Sequence, residues 1–163
     1  MNRIGIILAA VILAALVAFA WLHQRTMIRG LPPRTVCASQ AVALAQAGAF
    51  AKAHGGDIVP VLGTGSMSPY LPAAPAGVDP LGYVGAYVIV DRSASYESIT
   101  LGQLCVYRAE WSPRYAVMHQ AAQRDSLGLI MSGLNNPRSE SHWRVTPKDL
   151  LGVAVHAFVW PVP

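Results

Sequence analysis

The stretch Tyr83–Val90 reads YVGAYVIV and is typical of the segments that decide the fold of this chain. β-Branched and aromatic residues dominate it, and such residues are enriched in strands because they pack well on a pleated, half-buried surface. Runs of the same kind, separated by turn residues, recur from residue 57 onward: 58–62, Gln103–Tyr107, Tyr115–His119, Leu127–Ser132 and Leu151–Trp160. The pattern predicts a mainly β domain, with a coiled or barrel-like antiparallel sheet.

Turn residues divide these runs. Ser112-Pro113-Arg114 and Asp125-Ser126-Leu127-Gly128 are predicted turns, and Pro72–Pro80 is predicted to be a loop rich in proline and alanine. The two turns would each join neighbouring strands of one sheet.

One helix is expected before the strands. Thr35 can cap a helix that runs from Val36 to about Ala53 and ends at Gly55-Gly56. Its apolar positions are Val42, Leu44 and Phe50. We expect a structural helix that packs on the domain or lies against a bilayer.

The N-terminal run from Ile4 to Leu22 is uncharged and apolar. Its nineteen residues would form a helix about 28 Å long, close to the hydrocarbon thickness of a bilayer. The run therefore predicts a single transmembrane helix at 4–22, followed by a linker and helix at 23–56 and a β-rich domain at 57–163. The alternative is a signal peptide cleaved after Ala18-Phe19-Ala20.

Membrane orientation follows from the charges that flank this run. Arg3 precedes it, whereas Arg25, Arg29 and Arg34 follow it. Counted alone, these charges would place the C-terminal domain inside the cell.

Composition excludes several classes of protein. The net charge is +4, and the basic residues are scattered, unlike the basic stripe of a nucleic-acid-binding surface. Cys37 and Cys105 form no zinc signature, and we expect two free thiols and neither metal nor cofactor.

Residues 63–71 read GTGSMSPYL and follow an apolar run, so a strand would present Ser66 on a turn braced by glycine and proline. Serine is a poor nucleophile unless a neighbouring base takes its proton. His119 is the candidate base, and a neutral imidazole with a pKa of about 6.5 is able to accept a proton at neutral pH.

These residues resemble the boxes of the type I signal peptidases, which are membrane-anchored serine proteases. Residues 64–71, TGSMSPYL, are similar to the family's S-G-S-M-x-P-T-L box. Four later segments are similar to further family boxes: 85–90, 102–107, 133–141 and 150–153. The resemblance covers 57–155 and the anchor, and implies a signal-peptidase catalytic fold.

The resemblance assigns roles residue by residue. It implies that Ser66 is the nucleophile, that Thr64 and the Ser66 amide stabilise the oxyanion, and that Met67 and Pro69 belong to the substrate-binding box. Residues 117–121, VMHQA, fall where bacterial members carry a lysine and the endoplasmic-reticulum and archaeal branch a histidine. Since Lys52 and Lys148 lie outside this strand, His119 is implied as the general base.

The third member of the site is open at this stage. Glu140 is implied by its motif position as the group that orients His119, with Asp125 and Asp91 as alternatives. The chain departs from the family pattern at four positions, where acidic or basic residues are replaced: Ala86, Gln103, Gln120 and Leu134. A Ser66–His119 dyad is therefore a further alternative.

The resemblance implies a single-pass, membrane-anchored serine endopeptidase with an extracytoplasmic catalytic domain. Its partners would be the lipid membrane and a preprotein or peptide, cleaved after small residues, with no nucleic acid. Two alternatives remain: a protease that matures one pilin, conjugation or phage substrate, and a catalytically silent β-domain acting in assembly. We expect surface or packing roles for His54, His142 and His156, and roles as packing or interface anchors for Trp111, Trp143 and Trp160.

Overall fold

The computed structural model describes residues 12–16, 30–136 and 142–162. The chain divides into two compact units, Met1–Leu31 and Pro32–Pro163. In the first unit, residues 12–16 are helical with exposed side chains, and the rest of the predicted transmembrane segment lies outside the described residues. Within the described ranges, no helix is both long enough and apolar enough to cross a membrane.

The second unit is built mainly from strands. In chain order its elements are β1 (Arg34–Val36), helix α1 (Gln40–His54), β2 (Asp57–Leu62), β3 (Val84–Asp91), β4 (Leu104–Ala109), β5 (Ser112–Asp125), β6 (Gly128–Ser132) and β7 (Leu150–Val159). A short 3-10 helix, Tyr96–Ser98, lies between β3 and β4.

The strands close into a barrel. The sheet order is β1-β7-β3-β2-β5-β4, and β4 also pairs with β7, so β7, β3, β2, β5 and β4 form a closed ring of five strands. Strand β6 extends β5 as a hairpin, and β1 adds to β7 in parallel. Closure removes the exposed edges that an open sheet would present. The predicted mainly β, barrel-like fold is confirmed.

A buried cluster forms on one face of the β4–β5 pair. Cys105 and Tyr107 from β4 and Val117 and Ala121 from β5 belong to it. Because side chains alternate along a strand, His119 lies on the same face of β5 as Val117 and Ala121. The hydrophobic alternation that builds this part of the core therefore also fixes where His119 lies.

Helix α1 begins later than the sequence predicted. Thr35 lies in β1, which pairs with β7 through residues 34–36, and Ser39 is the true N-cap, with its Oγ accepting from the Val42 amide at 3.3 Å. The ladder to β7 satisfies backbone groups that a helix would otherwise have satisfied. The end at Gly55 is as predicted.

The apolar positions of α1 are buried to different degrees. Val42 and Leu44 are 39% and 47% exposed, whereas Ala43 and Ala47 are fully buried. Small side chains let the helix approach the sheet closely. Of the predicted apolar positions, only Phe50 packs on the domain, against Phe158 of β7 at 5.9 Å between ring centroids.

One predicted turn is wrong and one is confirmed. Residues 112–114 lie in β5, and the chain reverses at 110–111, where Ala109 pairs with Ser112. Pro113 is tolerated there because it lies near the start of a strand, where a ladder donor is not needed. The turn at 125–128 forms, with Asp125 Oδ1 accepting from the amides of Leu127 and Gly128.

The thiols of Cys37 and Cys105 are both free and buried, so the prediction that they are unpaired is confirmed.

Candidate active site

Strand β2 leads directly into the turn that carries Ser66. A Cβ at Gly63 would lie 2.6 Å from the Tyr83 ring and 2.9 Å from the Pro72 carbonyl oxygen, so only glycine allows this close approach. Gly65 has a φ of +85°, a conformation that L side chains rarely adopt. The two glycines let the chain turn sharply after β2 and leave Ser66 half-buried.

The far side of this turn is tied to β1. Arg34 Nη1 donates to the carbonyl oxygens of Pro69 and Tyr70 at 2.7 and 2.6 Å. Tyr70 Oη donates in turn to the Pro32 carbonyl at 2.9 Å. These bonds join the start of the domain to the segment that follows the serine.

Ser66 and His119 form the centre of the site. Ser66 Oγ lies 2.7 Å from His119 Nε2, although the residues are 53 positions apart in the chain. His119 is only 2% exposed, because β5 is paired on both sides near it. The structure thus brings together the nucleophile and the base expected from the sequence.

The other ring nitrogen of His119 contacts a hydroxyl group. Tyr107 Oη lies 2.8 Å from His119 Nδ1. Tyr107 pairs with Val117, and His119 pairs with Cys105, so the two side chains are diagonal neighbours on one face of the β4–β5 ladder. Tyr107 is fully buried. The sequence reasoning missed this residue.

Burial sets the protonation of the groups at this centre. It lowers the pKa of His119 from 6.5 to about 4, so the imidazole is neutral at pH 7. Burial also raises the pKa of Cys105, the strand partner of His119, to about 12, which keeps its thiol protonated. A neutral imidazole is the state that a general base requires before reaction.

Thr64, the residue expected to help stabilise an oxyanion, lies beside Ser66. Its Oγ1 is 3.0 Å from Ser66 Oγ and accepts from the Ser66 amide at 3.5 Å. The amide and the hydroxyl are therefore bonded to each other, and both lie close to Ser66 Oγ. A backbone amide and a side-chain hydroxyl are groups from which oxyanion holes are commonly built.

Residues that follow β6 support the serine from behind. The Asn135 amide donates to the Ser66 carbonyl oxygen at 2.8 Å, and Asn135 Nδ2 donates to the Gly65 carbonyl at 3.4 Å. A Cβ at Gly133 would lie 2.5 Å from the Ser66 carbonyl oxygen. Glycine at position 133 lets its backbone contact the backbone of Ser66, which helps to fix the position of Ser66.

An open groove of about 630 Å³ leads to the Ser66–His119 pair. Trp111 and Leu81, which are 40% and 45% exposed, contribute apolar surface to it. The groove is lined by Thr64, Gly65, Ser66, Pro80, Leu81, Trp111, His119, Asn135, Asn136 and His142. Trp111 and His142 were expected only on the surface or in packing, and they reach the groove because turns place them there.

The expected substrate-binding residues lie elsewhere. Met67 is 3% exposed and belongs to the core, and neither it nor Pro69 lines the groove. Pro69 is exposed, and its carbonyl accepts from Arg34. Both residues follow Ser66 in the turn. Their positions suit a role in shaping that turn and do not bring them into the groove.

Three acids were expected as candidates to orient His119, and the structure describes two of them. Glu140 lies outside the described residues. Asp125 binds the Arg144 side chain at 2.7 Å, and Asp91 Oδ1 accepts from the Ser93 hydroxyl at 2.7 Å. These hydrogen bonds lower the pKa of each aspartate. Asp125 and Asp91 are therefore hydrogen-bonded near their own turns. Among the described residues, the Tyr107 hydroxyl contacts His119 Nδ1.

No family model matches the chain, and neither a curated protein nor a solved structure matches it. What the arrangement can do is therefore argued from its own atoms. It combines a serine hydroxyl, a neutral imidazole in contact with it, a neighbouring amide and threonine hydroxyl, and an open groove, which together suit acyl transfer.

Proposed function

We propose that this protein is a membrane-anchored serine endopeptidase that cleaves signal or leader peptides after small residues. The observation that carries the proposal is the 2.7 Å contact between Ser66 Oγ and His119 Nε2 at the base of an open groove. A nucleophile and a base in hydrogen-bond contact are the minimum that serine acyl transfer requires.

The proposed reaction assigns a role to Ser66, His119 and Thr64. His119 Nε2 takes the Ser66 proton while Oγ bonds to the scissile carbonyl carbon, and the resulting oxyanion accepts from the Ser66 amide and Thr64 Oγ1. His119 then gives that proton to the leaving amine as the C–N bond breaks. Water hydrolyses the acyl ester by the reverse proton path and regenerates Ser66.

The low pKa of His119 bears on this chemistry. Because burial lowers the pKa to about 4, the free base remains available in mildly acidic solution. Burial also makes the transient imidazolium costly, so a partner that accepts a hydrogen bond from it would assist the reaction.

The membrane part of the proposal rests on the sequence. The apolar run at 4–22 has the length of one membrane span, and the resemblance to type I signal peptidases implies an extracytoplasmic catalytic domain. A membrane tether would keep the groove near precursors whose signal segments are themselves in the bilayer.

The test uses the full chain in detergent with a preprotein that carries alanines before its cleavage site. We expect wild-type protein to release the mature fragment, with the new N-terminus read by mass spectrometry. Ser66→Ala and His119→Ala should each reduce cleavage by at least about 10³-fold, since each removes a member of the reacting pair.

Ser68→Ala is the matched control, because Ser68 lies in the same turn but does not line the groove. It should retain near-wild-type cleavage. Circular dichroism and thermal unfolding of every variant would separate loss of chemistry from loss of fold. Undiminished cleavage by the folded Ser66→Ala protein would overturn the proposal.

The alternative of a catalytically silent β-domain would be favoured by a Ser66 hydroxyl far from His119, with no groove between them. The hydrogen bond and the groove give it no support. A dedicated maturation protease would share the same chemistry, and a panel of precursor substrates would distinguish it from a general signal peptidase.

A further inference from the structure

His119 is held between two hydroxyl groups. Ser66 Oγ lies 2.7 Å from Nε2 and Tyr107 Oη lies 2.8 Å from Nδ1. A neutral imidazole carries one proton, so one ring nitrogen donates and the other accepts. The partner at Nδ1 therefore decides whether Nε2 has the lone pair needed to take the serine proton.

The Tyr107 hydroxyl is positioned to control this choice. When its oxygen accepts from Nδ1–H, the lone pair of Nε2 faces Ser66. When it donates to Nδ1 instead, Nε2 carries the proton and cannot act as the base. In serine proteases an aspartate enforces the productive tautomer.

The surroundings of Tyr107 fix its hydroxyl in place. Its side chain is fully buried on β4, and its ring packs against Trp143 with centroids 5.8 Å apart. The ring centroids of Tyr107 and His119 lie 6.1 Å apart. The phenol thus cannot swing away from Nδ1 without disturbing the core.

We propose that Tyr107 is the positioning residue of the site, whose hydroxyl oxygen accepts from His119 Nδ1–H and holds Nε2 unprotonated toward Ser66. This inference rests on the proposed function for its catalytic meaning. Its structural content, the tautomer of His119, can be measured without any substrate.

Other titratable groups near His119 enter the interpretation of its pH dependence. Cys105 is its strand partner on β4, and its raised pKa keeps it neutral over the range of interest. His142 is the other histidine that lines the same groove.

The test compares wild-type protein with Tyr107→Phe, which keeps the ring and removes the hydroxyl. Nitrogen-15 NMR of the imidazole should show the Nδ1–H tautomer in wild type and a mixture, or the Nε2–H tautomer, in the variant. The rate at which a fluorophosphonate labels Ser66 should fall by about 10- to 100-fold in the variant. The reason is that His119 would then spend part of the time as the Nε2–H tautomer, which cannot accept the serine proton.

The pH profile of labelling adds a second readout. Loss of the acceptor removes a hydrogen bond to the imidazolium, so the acid limb of the profile should move to lower pH in Tyr107→Phe. A role in packing alone would leave both the tautomer and this limb unchanged, because phenylalanine fills the same space. Repeating the titration in His142→Gln assigns the limb to His119.

Tyr96→Phe is the matched control. Tyr96 packs on the same buried cluster, and its hydroxyl donates to the Val145 carbonyl at 2.8 Å. Its loss removes a similar hydrogen bond at another place, so the tautomer of His119 and the labelling rate should not change. Ser66→Ala should show no labelling.

The outcomes separate the two proposals. A wild-type Nε2–H tautomer, or an Nδ1–H tautomer that persists in Tyr107→Phe with unchanged labelling, would overturn the role of Tyr107 whether or not peptides are cleaved. A tautomer that depends on Tyr107 supports that role even if no preprotein is cleaved, in which case the proposed function alone fails.

Discussion

At the scale of single residues, the site is assembled from hydroxyl groups. Thr64 and Tyr107 each place a hydroxyl oxygen within 3.0 Å of the reacting Ser66–His119 pair. Hydroxyls can donate or accept, whereas carboxylates only accept when ionised. The consequence is a buried imidazole whose two ring nitrogens both contact hydroxyl groups, so that its tautomer depends on which hydroxyl donates.

The role of Thr64 gives a prediction at this scale. Thr64→Val keeps the shape of the side chain but removes the hydroxyl beside Ser66 Oγ. We expect kcat to fall by about 10²-fold with KM changed by less than about twofold, because an oxyanion donor acts mainly in the transition state. Steady-state cleavage of the preprotein measures both constants.

Thr64→Ser serves as the control, since it restores the hydroxyl on a smaller side chain and should recover most of the rate. If Thr64→Val cleaves as fast as wild type, the oxyanion is stabilised by other donors and Thr64 only shapes the turn.

At the scale of elements, the position of Ser66 depends on where β2 and β6 end. Strand β2 delivers the turn, and the segment after β6 receives it through the Asn135 amide, 2.8 Å from the Ser66 carbonyl. The backbone of Gly133 lies so close that a Cβ would meet the Ser66 Cβ at 2.8 Å. Two backbones in direct contact transmit any displacement of β6 to the nucleophile.

Gly133→Ala tests this contact. The added methyl group must push the Ser66 turn away from β6, and a displacement of about 1 Å can cost about 10²-fold in rate. We expect cleavage to fall by that order while the domain remains folded. Fluorophosphonate labelling and thermal unfolding of the same sample measure the two effects.

Gly48→Ala is the control for this substitution. Gly48 lies within α1, and a Cβ there would have no atom within 4 Å. It should leave cleavage unchanged and raise the free energy of unfolding by up to about 1 kcal/mol, since alanine favours the helix. Equal activity of Gly133→Ala and wild type would show that the turn can yield without moving Ser66.

At the scale of the whole molecule, the closed barrel buries His119, and this burial makes the stability of the domain depend on pH. Its pKa is lowered from 6.5 to about 4 because the folded domain disfavours the charged imidazole. Above pH 6.5 the imidazole is neutral in both states and costs nothing. As the pH falls below 6.5, His119 becomes protonated in the unfolded chain but stays neutral in the folded chain until the pH approaches 4.

The free energy of unfolding should therefore fall between about pH 6.5 and pH 4, by about 3 kcal/mol from His119 alone. Below about pH 4 this contribution should level off. Urea unfolding measured across this range checks it. His156, whose pKa is also lowered by burial, contributes with the same sign.

His119→Gln isolates the contribution, because glutamine does not titrate. The variant should lose most of the slope between pH 6.5 and pH 4 and keep the part due to His156. An unchanged slope would mean that His119 is not the group whose protonation opposes folding. The lowered pKa values of Asp91 and Asp125 act at lower pH and leave this window largely undisturbed.

Much of this architecture could be predicted from local patterns. Most of the β-branched runs, such as 83–90, predicted strands within one or two residues of their observed bounds, because strand propensity and burial act over a few neighbours. The run 115–119 is the exception, since it marks only the centre of β5. The start of α1 could not be predicted this way. Residues 34–36 pair with a strand more than a hundred positions later, and the sequence around residue 35 gives no sign of that partner.

The Tyr107–His119 contact could have been predicted from the spacing of the two residues in the β4–β5 hairpin. A hairpin centred on Pro113 would place Tyr107 directly opposite His119. The observed hairpin reverses at 110–111 and contains an irregularity between Tyr107 and Ala109, so the two residues become diagonal neighbours. Both registers keep them on one face of the sheet, because side chains alternate with a period of two.

The sequence by itself determined the strands, the exposed serine turn and the choice of His119 as the partner of Ser66, since these depend on short patterns of residue types. Only the tertiary structure decided the group at Nδ1, the residues that line the groove and the pKa of His119. Those depend on strand register, barrel closure and burial, which are set by contacts between segments far apart in the chain.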